Sequence, residues 1–182
     1  MKQEKYLFSL LVRNESGVLT RISGLFARRG YNIDSLSVGV TEDAAVSRMT
    51  ITATCDEYMK EQILKQLSKL HDVIIVEAMD LEATVMRELL LIKVNVAQGG
   101  RSEILEAISI FRAKVVDLTP ESLTVEITGE RNKCDAFVEY LRPFGIAELC
   151  RTGITAIKRG AERLADGIGK NTYEHIIVSD EE

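Results

Sequence analysis

Residues 6–30 read YLFSLLVRNESGVLTRISGLFARRG, and the hydrophobic period changes partway along. Tyr6, Phe8, Leu10 and Val12 alternate with their neighbours, the pattern of a strand buried on at least one side. From Val18 the spacing is helical: Val18, Leu19, Ile22, Leu25 and Phe26 make one stripe, and Arg21, Arg28 and Arg29 face away. Gly30 stops the helix, because a left-handed residue there is least costly for glycine. Between strand and helix lie Asn14, Glu15, Ser16 and Gly17. A capped helix after a glycine turn explains these residues. So does a site for a small anion. The first N–H groups of a helix are unpaired and carry positive partial charge, and a carboxylate answers both. Gly17 lets backbone and ligand approach closely, and Asn14 and Ser16 offer caps or direct hydrogen bonds.

Working outward, residues 32–41 predict a second strand with Leu36, Val38 and Val40 on one face. TEDA is a turn cluster. Residues 46–55 predict a third strand, with Met49, Ile51, Ala53 and Cys55 inward and Arg48, Thr50, Thr52 and Thr54 outward. Asp56 caps a helix whose stripe is Met59, Ile63, Leu64, Leu67 and Leu70, and VIIVEAM follows as a fourth strand. Strand-helix-strand-strand-helix-strand is the ferredoxin-like order. It then recurs. ELLLIKVNV is a strand and Gly99–Gly100–Arg101–Ser102 a turn. Ile104, Leu105, Ile108 and Phe111 mark a helix. KVVDL and LTVEI flank a turn at Thr119, Pro120, Glu121 and Ser122. Cys134, Phe137 and Leu141 mark a helix that Pro143 and Gly145 end. ITAIK is the candidate final strand. The expectation is an α+β chain of two ferredoxin-like βαββαβ domains in tandem, over 1–81 and 87–159, with 160–182 a flexible tail.

Composition narrows the function. The chain has 182 residues, a formal charge of −5, 5% aromatic residues and no Trp, so its cores are expected to be mostly aliphatic. Mild acidity argues against general nucleic-acid binding, which needs a basic surface. Three widely spaced cysteines, Cys55, Cys134 and Cys150, form neither a disulfide framework nor a zinc motif. The charged start MKQEKY lacks a signal-peptide apolar region, and no apolar run approaches the roughly 20 residues of a membrane span. A cytoplasmic protein without membrane partners is expected.

Chemistry is sparse. A nucleophile needs a base within reach, and the two histidines do not supply one. His71 falls at the end of the second helix, where a protonated imidazole suits the dipole, and His175 lies in the expected tail. No metal-binding cluster, Walker loop or dinucleotide fingerprint is present. RNA binding on this fold would need exposed aromatics on central strands, and Tyr6 and Phe8 read as core. Asn32, just past the first helix, is a turn residue or an acceptor for an ammonium group. A helix of about twelve residues at 1.5 Å each separates it from Gly17 by roughly 18 Å, so one amino acid cannot touch both in one protomer. Two copies about a two-fold could share such sites.

The run NESGVLTRISGLFARRGYNIDSLSV, with SRMTI after it, resembles the ACT domain of the acetohydroxyacid synthase (acetolactate synthase) regulatory subunit. LLLIKVNV, IFRAKVVDLTPESLTVEITG and RTGITAIKRG are also similar to that family. The resemblance covers the chain to about Arg159. It implies a non-catalytic subunit, a homodimer through its ACT domains, that binds no cofactor itself. The implied partner is a catalytic large subunit holding thiamine diphosphate, FAD and magnesium, which this chain activates and makes sensitive to valine in branched-chain amino acid biosynthesis. Carried to matching positions, the family's effector site implies Asn14, Gly17, Val18 and Leu19 from one chain and Asn32 and Ile33 from the other. Two other readings stand beside it: a stand-alone ACT-type sensor acting on another partner, and a small enzyme on a ferredoxin-like scaffold.

Overall fold

The computed structural model describes residues 2–96 and 100–168. The chain forms two compact units, one from the residues up to Val85 together with the segment from Ala156, the other from Met86–Thr155.

In the first unit, β1 (Glu4–Arg13), α1 (Val18–Arg28), β2 (Ser35–Val40), β3 (Val46–Cys55), α2 (Glu57–Leu67) and β4 (Val73–Ala78) follow one another. The sheet is antiparallel, in the order β2-β3-β1-β4. The period change after Val12 has the predicted result. Phe8, Leu10 and Val12 of β1 and Met49, Ile51 and Ala53 of β3 form one core with Val18, Ile22, Leu25 and Phe26 of α1 and Ile63, Leu64 and Leu67 of α2. Asp56 caps α2, its Oδ1 accepting from Met59 N at 2.8 Å.

The other sheet face departs from the alternation. Thr50 and Thr52, expected outward, are buried, as are Leu7, Ser9 and Leu11. The buried hydroxyls are satisfied locally: Ser35 Oγ and Thr52 Oγ1 lie 2.7 Å apart, and Arg48 Nη1 donates to Ser9 Oγ at 3.1 Å. A segment that follows β4 by more than eighty residues in sequence packs on the sheet. Residues 160–168, expected to begin a loose tail, include a 3-10 turn, Leu164–Gly167, that packs against β1 and β4. Leu164 is only 2% exposed. Ahead of it, Lys158 Nζ pairs with Glu77 Oε1 at 2.9 Å, and Arg159 N donates to Ala83 O. His175 and HIIV fall outside the described residues. β2 is an edge strand; of the three residues expected on one face, Leu36 is partly buried while Val38 and Val40 are exposed.

The second unit repeats the order with β5 (Thr84–Asn95), α3 (Arg101–Phe111), β6 (Lys114–Leu118), β7 (Ser122–Gly129), α4 (Arg131–Leu141) and β8 (Ile146–Arg151). Its sheet runs β6-β7-β5-β8, and the short β9 (Thr155–Lys158) falls from Ala156 onward in the first unit. The sequence reading takes ITAIK as the closing strand. The fourth strand is instead β8, IAELCR, whose mixed polarity hid it: as an edge strand it is exposed over Ala147–Cys150 and never alternates cleanly. Glu88 of β5 is buried and pairs with Arg151 of β8 at 2.9 Å, while Arg151 also reaches Asp135 of α4. One guanidinium thereby ties three elements.

Candidate functional site

The approach to α1 is built by β1 and by the turn between β2 and β3. Asn14 N donates to Ala45 O at 2.8 Å, and Asn14 Nδ2 donates to Ala44 O at 2.9 Å. Asn14 is thus fastened to that turn through its donors, and its Oδ1 remains an acceptor. Gly17 is the N-cap of α1 with φ 84° and ψ −10°, a left-handed conformation that favours glycine and that Asn and Asp also visit. No side chain caps α1, and its first turn carries no acidic residue. The N–H groups of this helix end therefore have no side-chain cap, and the helix supplies no carboxylate of its own in its first turn to answer the dipole. Val18 is buried in the core, whereas Leu19 is exposed beside it in sequence.

Arg21, read from sequence as merely outward-facing, belongs to this neighbourhood. Its backbone N donates to Gly17 O at 3.0 Å. A Cβ added at Gly17 would stand 3.1 Å from Arg21 Nη1 and meet nothing nearer. Arg21 Nε donates to Asp72 Oδ2 at 2.5 Å. The hydrogen bond from Arg21 first, against the opposing effect of desolvation, holds the Asp72 carboxyl below its ordinary range. The signal that could have found Arg21 is its spacing: four residues after Gly17 it stands one helical turn above it.

Asn32 and Ile33 lie beyond the opposite end of α1. That helix has eleven residues, about 16 Å at 1.5 Å each. One protomer thus gathers Asn14, Gly17, Val18 and Leu19 but does not bring Asn32 to them. Asn32 Nδ2 donates to Asp34 Oδ1 at 3.1 Å, and Ile33 is half-buried against the core.

The second unit repeats the glycine device and fills it. Gly100 is the N-cap of α3 with φ 78° and ψ 1°, again with no side-chain cap. Here a Cβ would stand 2.7 Å from Cδ1 of Phe144. An apolar ring thus stands against Gly100 where the flexible, cationic Arg21 side chain stands at Gly17. Arg101 is turned away, donating to Thr119 O and Pro120 O.

The two buried thiols, Cys55 and Cys134, are poor candidates for covalent chemistry. Burial pushes Cys134 up to about 11, with Glu88 adding to it, and burial raises Cys55 as well; thiolate is the reactive form. His71 is exposed in the turn before β4. Among the described residues no group of three or more His, Cys, Asp or Glu is arranged to hold a metal ion, and no helix is long and apolar enough to cross a membrane.

Comparison with known proteins places these features. Residues 8–75 match the family described as AHAS small subunit-like ACT domain, and residues 87–160 match the small subunit of acetolactate synthase. The chain is 48% identical over 165 residues to the probable acetolactate synthase small subunit of Methanothermobacter thermautotrophicus, covering 90% of this chain and 98% of that protein. It is also 48% identical over 162 residues to the acetolactate synthase small subunit of Bacillus subtilis, covering 88% and 94%. The crystal structure of the Thermotoga maritima acetolactate synthase small subunit superimposes with a TM-score of 0.81 at 40% identity, covering 87% of this chain and 99% of that one.

Proposed function

The chain belongs to the family of acetolactate synthase small subunits, and from that premise we propose that it activates the catalytic large subunit and makes it sensitive to valine. The observation that carries the effector reading is the α1 terminus. Gly17 is left-handed, the helix has no side-chain cap, and the side chain closest to the glycine is the cationic guanidinium of Arg21, whose charge suits an anion. In this reading the N–H groups of α1 take the effector's carboxylate, and Asn14 Oδ1 lies beside it. The branched side chain rests on apolar surface next to Val18 and Leu19. Asn32 and Ile33 of a second copy complete the site and hold the ammonium group.

The pairing that this requires has a physical basis in β2. It pairs with β3 over Ser35–Val40 without a break in register, and among the described residues no strand pairs with its other side, the place where a further strand can be added. Exposed Val38 and Val40 add apolar surface to the same edge. Two copies joined there make two equivalent sites. Regulation further requires that valine bind one state of the complex better than another. The thiamine diphosphate, FAD and magnesium of the reaction belong, in this proposal, to the large subunit. The domain division proposed for this work is an effector-binding ACT domain over 1–81 and a second ferredoxin-like domain over 87–159.

Reconstitution tests the proposal. The chain is added to the catalytic subunit, with and without valine, and pyruvate condensation is measured. A higher rate that valine suppresses is expected. Valine binding with no effect on the rate would favour a stand-alone sensor with another partner.

A further inference from the structure

The second sheet has two unlike faces. Leu90, Ile92, Val94, Leu123, Val125 and Ile127 point to the α3–α4 side and are buried. The alternate positions form an open face. Across it runs a row of cross-strand neighbours: Asp117 on β6, Thr124 on β7, Lys93 on β5 and Glu148 on β8. Leu91, 40% exposed, and Cys150 pair beside that row. Together these six residues line a cavity of about 230 Å³. Ordinary small-molecule sites enclose about 300–1,000 Å³, so this one suits a single inserted side chain better than a free metabolite.

The charges indicate which side chain. Lys93 Nζ is held by Glu148 Oε2 at 3.3 Å. Asp117, at the other end of the row, makes no ion pair among the described residues. Glu126 and Lys114 are also cross-strand neighbours on this face. Around the cavity the face thus carries three carboxylates, Asp117, Glu126 and Glu148, against two ammonium groups, Lys93 and Lys114; farther along β5, Arg87 and Glu130 pair with each other. A second copy laid on it would leave an unmatched carboxylate on each side. A basic side chain would satisfy Asp117 and rest its methylenes on Leu91. We infer that the open face of the β6-β7-β5-β8 sheet docks the catalytic subunit through a lysine or arginine inserted into the Asp117–Glu148 cavity. This rests on the proposed function for the identity of the partner.

The test uses the full chain and the purified catalytic subunit, with binding read by interferometry over a range of salt. Asp117→Lys should raise Kd about ten-fold or more, the equivalent of one good charge contact. Asp117→Asn, nearly isosteric, should raise it less, and both should flatten the salt dependence. Glu106→Lys makes the same change of charge on exposed α3, and should bind as the wild type does. Unchanged affinity and unchanged salt dependence in Asp117→Lys and Glu148→Lys, beside a wild type that binds and is regulated, overturn this inference alone. So does a loss of self-association in the isolated variants with partner affinity intact, which would assign the face to a second copy. A wild-type chain that fails to bind the catalytic subunit overturns the inference together with the proposed function.

Discussion

Gly17 and Gly100 adopt nearly the same backbone conformation and meet different neighbours, and their substitutions should differ accordingly. Gly17→Asp places a carboxylate beside Arg21 and the N–H groups of α1, and aspartate is among the side chains that tolerate the left-handed region best. The fold should therefore hold while the effector's carboxylate is displaced. Titrating valine against the reconstituted complex should show inhibition lost and activation kept. Persistent inhibition would reduce Gly17 to a turn residue. Gly100→Ala should instead cost stability, because the new methyl meets the Phe144 ring and the backbone is left-handed. A loss of about 1–3 kcal/mol is expected from denaturant unfolding. The ion pair of Arg21 and Asp72 adds a pH dependence. Arg21 lowers the folded pKa of Asp72 below its ordinary 3.8, so its contribution is complete above that value and fades as pH falls through the lower, folded value. Asp72→Asn should remove that part of the acid-side loss, as read from denaturation midpoints taken between neutral pH and pH about 3. Both glycine loops were legible in the sequence. The difference between them was not, because Phe144 reaches Gly100 only through tertiary packing.

Among elements, those with one wet face and one dry face were readable, and those at an edge or on a second face were not. β1 and α1 announced themselves by period. β8 did not, because an edge strand with Glu148 and Arg151 in its short span satisfies neither alternation nor a continuous apolar run. The same strand supplies Arg151, the partner of buried Glu88. Arg151→Leu should cost about 3–5 kcal/mol, since it strands a carboxylate away from water; Glu88→Gln in the same background should recover part of that loss. The turn at Leu164–Gly167 escaped for another reason: a single buried leucine among charged residues has no period. Leu164→Ala should lower unfolding stability by about 2–5 kcal/mol. A chain cut after Arg159, which loses Leu164, should unfold more readily than one cut after Ile168, which keeps it.

For the whole molecule, a repeat of architecture without residue identity was legible, because hydrophobic period and turn chemistry recur even where side chains do not. The proposed effector site was legible only in halves, since Gly17 and Asn32 lie at opposite ends of α1 and the sequence does not specify how two copies meet. Sedimentation of the isolated chain at micromolar concentration should give at least a dimer. A monomer that binds valine at full stoichiometry would refute the shared site. The segment from Ala156 belongs with the first unit although some seventy residues of the second lie between them. During synthesis, the first strands leave the ribosome long before the turn that packs against them is made. Docking of that turn on β1 is a contact of very large sequence separation, and such contacts slow folding. An amino-terminal piece ending near Val85 would present Leu7 and Leu11 without Leu164, and nascent chains at that stage would be the species most in need of a chaperone.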